Sequence, residues 1–125
     1  MSKRLKIRFE DEYPRGHKTF ERWFDVAGVQ HRRDAVEQFA NWKQQSVSME
    51  LEPTNPHDKN AIAVLGHGIK GWIFKRQSTL MIGYIPKEIA LKLKQQGLVD
   101  DAMLHLNQID VGDYLHVKVS LSIPK

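Results

Sequence analysis

A chain of 125 residues, 41% hydrophobic and 27% charged, has the make-up of one globular domain rather than a disordered segment. It contains no Cys, which excludes disulfides, Cys-zinc sites and a thiol nucleophile and fits a reducing compartment. Its formal net charge of +4 is compatible with a polyanionic partner without requiring one.

The opening MSKRLKIRFEDEY lacks the apolar run of a signal peptide. No stretch approaches the roughly 18 apolar residues of a membrane span. The expectation is a soluble, cytoplasmic protein without membrane contact. Residues 3–9 (KRLKIRF) alternate strictly, which predicts a strand with Leu5, Ile7 and Phe9 on one face and Arg4, Lys6 and Arg8 on the other. Two readings of its basic face stand: an edge strand defended by charge, or a contact for phosphates. Residues 10–19 hold Pro14 and Gly16 and read as a loop.

FERWFDVAGV (20–29) predicts a strand ending near Gly28. In the helix that follows, Asp34 and Glu37 have the spacing of a capping box, and Val36, Phe39 and Ala40 mark its apolar side. VSMEL (47–51) and AIAVL (61–65) read as strands, and GHG (66–68) as a turn, with His67 a turn residue. IKGWIF (69–74) is a further strand or an insert with exposed aromatics, and LMIGYI (80–85) is a strand. Pro86 suits the first position of a second helix, whose end is marked by Gly97. AMLHLNQI (102–109), a VGD turn and YLHVKVSLSI (114–123) follow. In the last strand Leu115, Val117, Val119, Leu121 and Ile123 point inward, and Ser120 and Ser122 outward. Trp23 and Trp42 are expected in the core. Trp72 and Phe74, beside Lys70, Lys75 and Arg76, are read either as packed strand residues or as a stacking surface for a single strand.

Strands predominate and the helices are not interleaved with them as βαβ units. The expected fold is mainly β with two short helices, a small antiparallel barrel. P-loop, GxGxxG, GxSxG and HExxH patterns are absent, and none of the six His pairs at the spacing of a helical metal site. No catalytic residue, metal or cofactor is expected.

The densest chemistry lies in LEPTNPHDKNAIAVLGHG (51–68). Bending a chain needs only Gly, Asn, Asp or Pro, and this turn carries more. On the residues alone, Asn55 and Asp58 either build Asx-turns or bind a ligand. A metal-dependent hydrolase using His31, His57 and Asp58 is a weaker alternative.

VAGVQ (26–30), LEPTNPHDKNAIAV (51–64) and IGYIPKEIA (82–90), in that order and at those distances, resemble the HIRAN domain, in the form found as short stand-alone bacterial proteins. The resemblance covers about residues 22–121. It leaves residues 1–21 as a basic strand and loop extension, residues 22–125 as the HIRAN-like domain, and 32–46 and 66–79 as variable inserts. It implies an OB-like barrel and a DNA-binding module without catalysis of its own. The helicase activity of larger members resides in their other domains. The implied ligand is single-stranded DNA with a free 3′ end, at stalled forks or repair intermediates. The alternative is an interaction module that docks on a helicase or nuclease partner.

Carried over by position, Asn55 and Asp58 match the turn that holds the terminal nucleotide, where the acid accepts a hydrogen bond from the 3′ hydroxyl. His57 stands where the well-studied eukaryotic form has Tyr. Gln30 and His31 replace an Arg-Tyr pair, so Arg32 or Arg33 is left to supply the cation. Tyr84 replaces a His, and Lys87 falls on a DNA-contacting Lys.

Overall fold

Two antiparallel sheets enclose one apolar core in the computed structural model, which describes residues 4–10 and 12–125. Lys3 and Asp11, which fall in the expected first strand and loop, lie outside the described residues. The strands are β1 (Leu5–Arg8), β2 (His17–Asp25), β3 (Lys43–Leu51), β4 (Ile62–Lys70), β5 (Arg76–Tyr84), β6 (Met103–Val111) and β7 (His116–Pro124). The helices are α1 (Arg33–Ala40), entered through a 3-10 turn over Val29–Arg32, and α2 (Lys87–Gln95). One sheet has the order β1-β6-β7-β2 and the other β3-β4-β5.

The mainly β class with two short helices is as expected, but the barrel is not closed. The sheets are bridged by one isolated residue pair, Ala27 with Tyr84. Chain 26–28 touches β5 there and then turns into the 3-10 segment through Gly28, whose φ is +79°, so no continuous ladder forms. Val36 and Phe39 from α1, Ile62 and Val64 from β4, Leu93 from α2 and Val117, Val119 and Leu121 from β7 share the single core. This is what amphipathic helices laid over half-buried strands should build.

Several expectations are corrected. β2 begins at His17, inside the expected loop, because the turn at Pro14–Gly16 closes with the His17 amide donating to Pro14 O at 3.1 Å. β2 then pairs with β7 through two bulges. At the second bulge Trp23 has φ +49°, which breaks the alternation and leaves it 39% exposed rather than in the core. Trp42 is buried as expected.

GHG is not a turn. β4 runs straight through it because a Cβ at Gly66 would meet the Phe39 ring at 2.8 Å and one at Gly68 would meet Trp42 Cβ at 2.9 Å. The glycines make room for α1 and Trp42. His67 therefore points to the opposite face, between Ser48 (2.6 Å) and Thr79 (2.9 Å).

Ser120 and Ser122 are buried, not outward. β7 is an inner strand whose second face is covered, and each hydroxyl is satisfied there. Ser120 Oγ bonds Asn107 Oδ1 (2.6 Å) and the Trp23 amide, and Ser122 Oγ bonds His17 and His105. The capping box does not form. The 3-10 turn feeds directly into α1, and Glu37 instead accepts from Arg33 at 3.1 Å. Pro86 sits one place earlier than expected, at the N-cap of α2. Gly97 ends α2 as expected, with φ +65° and the Leu98 amide donating to Leu93 O.

Candidate nucleic-acid interface

The turn between β3 and β4 is built from its own side chains. Asn55 Oδ1 accepts from the amides of His57 (2.9 Å) and Asp58 (3.2 Å), while Asn55 Nδ2 donates to Glu52 Oε1 at 2.9 Å. Asp58 Oδ1 accepts from the Asn60 amide at 2.9 Å. These are Asx-turn bonds. They use both ends of Asn55 but only one oxygen of Asp58. Lys94 on α2 ties the turn down by donating to Lys59 O and Asn60 Oδ1.

Across from the turn stands Tyr84. Its hydroxyl donates to the same Glu52 oxygen at 2.9 Å. Its backbone exchanges both hydrogen bonds with Ala27, at 2.8 and 2.9 Å. That approach requires Gly83, where a Cβ would stand 2.5 Å from Ala27 O. The hydrogen bond to Glu52 pushes the Tyr84 phenol above its ordinary value of 10.0, helped by partial burial and the Glu52 charge and opposed by Arg32. The Arg32 guanidinium lies 5.9 Å from the centre of the Tyr84 ring, within cation–π range.

Asn55, His57, Asp58, Tyr84 and Lys87 line one cleft of about 410 Å3, together with Ala27, Ala61 and Ile85. Five of the nine residues singled out in the sequence thus converge. Gln30, His31 and Arg32 line a neighbouring depression of about 400 Å3, and Arg32 links the two through Tyr84. The two arginines, which both line that depression, differ in their contacts. Arg33 donates to Glu37 and to the carbonyls of Gly112 and Asp113, whereas Arg32 faces the cleft residue Tyr84. Gln30 pins its segment to the chain just before β7 by bonding both backbone groups of Leu115.

Sequence reasoning missed Glu52, the acceptor that joins turn and tyrosine, although it sits inside the quoted motif one residue before Pro53. It also missed Ala27 and Gly83, whose contribution is backbone approach. Among the described residues no three His, Asp or Glu side chains are grouped to hold a metal ion. His31 and His57 open onto different depressions, so the hydrolase arrangement is not assembled.

The cleft thus sets a hydrogen-bonded tyrosine and a lysine on its lining, with Arg32 beside the tyrosine ring. The model of the HIRAN domain matches residues 23–123, and the chain belongs to that family. It is accordingly a nucleic-acid-binding module. Neither curated proteins nor solved structures provide a match. No helix among the described residues is long and apolar enough to cross a membrane.

Proposed function

We propose that the cleft between the 51–61 turn and Tyr84 takes the terminal nucleotide of single-stranded DNA with a free 3′ end. The observation that carries this reading is Asp58. One of its oxygens is held by the Asn60 amide, and its side chain lines a cleft shared with Lys87. An acid in a phosphate-binding site is repelled by the backbone unless the backbone ends there and offers a hydroxyl donor. Lys87 and Arg32 then neutralise the last phosphates. Tyr84, held upright by Glu52, and His57 offer ring faces to the base. No catalysis is assigned to the domain. In the cell, strand ends of this kind occur at stalled forks and repair intermediates, where a cytoplasmic helicase or nuclease is the fitting protein partner.

The test is fluorescence anisotropy with 5′-labelled oligonucleotides ending in a 3′ hydroxyl or a 3′ phosphate, at several salt concentrations. Preference for the hydroxyl, with a salt slope of about −0.7 per phosphate contacted, supports end capture. Asp58→Ala is expected to abolish that preference while costing only about 1 kcal/mol of stability, the worth of one exposed-turn hydrogen bond. Equal binding of both termini by the wild type would make the cleft a general strand groove.

A further inference from the structure

The β4–β5 hairpin ends in a bare apolar tip. Trp72 is 78% exposed, Ile73 68% and Phe74 86%. The tip is shaped by Gly71, whose φ is +88° and whose Cβ would strike Phe74 O at 2.6 Å. The turn thus holds three large apolar side chains outward, where a soluble domain ordinarily hides them. Cations flank them on both strands, Lys70 on one side and Lys75 and Arg76 on the other. From Lys59 to Lys87 the sequence contains no Asp or Glu at all.

The hairpin connects this tip to the cleft. Tyr84 ends β5 at the cleft and Arg76 begins it at the tip, roughly 26 Å apart at ~3.3 Å per strand residue. Residues Ile62, Val64, Gly66 and Gly68 of β4 face the core; on the opposite face Ala63, next to the cleft, is buried, and Leu65, His67 and Ile69 toward the tip are half-buried. There Leu65 pairs with Met81, and His67 pairs with Thr79. A shallow groove of about 280 Å3 lies beside His67. No Asp, Glu, Lys or Arg lines this groove, and cations stand at both ends of the path; the exposed acid Glu50 of β3 lies opposite Ala63 at the cleft end.

We propose that the hairpin tip is a second contact for the same unpaired strand. Its bases stack on Trp72 and Phe74, and its phosphates lie against Lys70, Lys75 and Arg76, while the strand's end occupies the cleft. Exposed aromatic rings interleaved with cations, without an acidic group between, match a flexible polyanion that carries π-faces. A purely apolar protein partner would leave those cations without a role. The strand's identity rests on the nucleic-acid reading of the cleft, but the tip is tested separately from it.

The intact chain is titrated with oligothymidylates of about 4 and about 16 nucleotides, the span of single-strand site sizes for small β modules. The wild type should bind the longer strand more tightly. Trp72→Ala/Phe74→Ala should bring the long strand down to the affinity of the short one, a loss of roughly fivefold or more for each base that stacks, and leave the short strand unaffected. Lys75→Gln/Arg76→Gln should lower the salt slope for the long strand by about 0.7 per lost phosphate contact. Long-strand binding equal to wild type in both variants overturns the proposal. So does co-sedimentation of the wild type with phosphatidylserine-containing vesicles that the aromatic double variant abolishes while strand binding stays intact. A 3′ phosphate tolerated on the short strand, with the length effect retained, removes end capture and leaves the tip contact standing.

Discussion

At the scale of the residue, Glu52 is the hinge of the candidate site. One carboxylate oxygen receives both Tyr84 OH and Asn55 Nδ2, so it couples the turn to the facing strand. The raised phenol pKa of Tyr84, caused first by its hydrogen bond to Glu52, makes that coupling measurable. A folded pKa above the unfolded value means that the native state holds the proton more tightly. This contribution to stability is therefore complete below about pH 10 and is lost as pH rises through the folded pKa. Glu52→Gln keeps an acceptor but removes the charge. It should move the Tyr84 titration back toward 10.0 and flatten the alkaline limb of the stability curve, as read by ring-carbon NMR and by urea melts across that range. An unmoved Tyr84 titration would mean that Glu52 does not set its environment. Asp25 works with the opposite sign. Burial pushes its carboxyl up, but hydrogen bonds from and the charges of Lys118 and His116 outweigh burial and hold it below its ordinary value. Its contribution is thus present at neutral pH and is lost as pH falls through the folded pKa.

At the scale of the element, glycines decide where strands cross. Gly83→Ala would place a Cβ 2.5 Å from Ala27 O and 2.6 Å from Val26 Cγ1. The nearest atom is backbone, which cannot rotate away. The variant should lose about 1–3 kcal/mol as an overpacked site, and the displaced 26–28 segment should weaken strand binding as well. Urea denaturation and anisotropy together check both effects; loss of stability with unchanged binding would separate the crossing from the site. The same residues show what a sequence discloses. Val36, Phe39, Val117, Val119 and Leu121 announce themselves by period, and all are buried. Gly66 and Gly68 mislead, because a glycine that admits a ring from another element looks the same in sequence as one that bends the chain. Ser120 and Ser122 mislead for a related reason: period assigns a side chain to a face but does not say whether that face is covered. The cleft was legible through its motif, since Asn55, His57, Asp58, Tyr84 and Lys87 meet in one place. The roles within it were not. That Asn55 serves the loop with both ends, and that Arg33 is occupied by distant carbonyls while Arg32 is not, are facts of tertiary contact with no local signature.

At the scale of the whole molecule, the family match begins at residue 23, yet the sheet does not. β1 pairs with β6 from Leu5↔Val111 to Arg8↔Gln108, and β2 meets the end of β7 at His17↔Pro124. Leu5, Phe9 and Phe20 pack against the common core. A chain beginning at residue 22 would lose β1 and more than half of β2 and turn β6 into a bare edge. Ser122 would keep His105 but lose His17. Each apolar side chain withdrawn from the core costs up to about 1.5–3 kcal/mol. Three together approach the roughly 5–15 kcal/mol that holds an ordinary domain folded, and an exposed ladder edge invites association. The truncated chain is therefore expected to melt without a sharp transition by circular dichroism and to elute as aggregates in size-exclusion chromatography. A cooperative melt within a few degrees of the full chain, with a monomeric elution volume, would instead make the first 21 residues a dispensable addition. The exposed Arg4, Lys6 and Arg8 would then have to be explained by what they contact rather than by what they hold together.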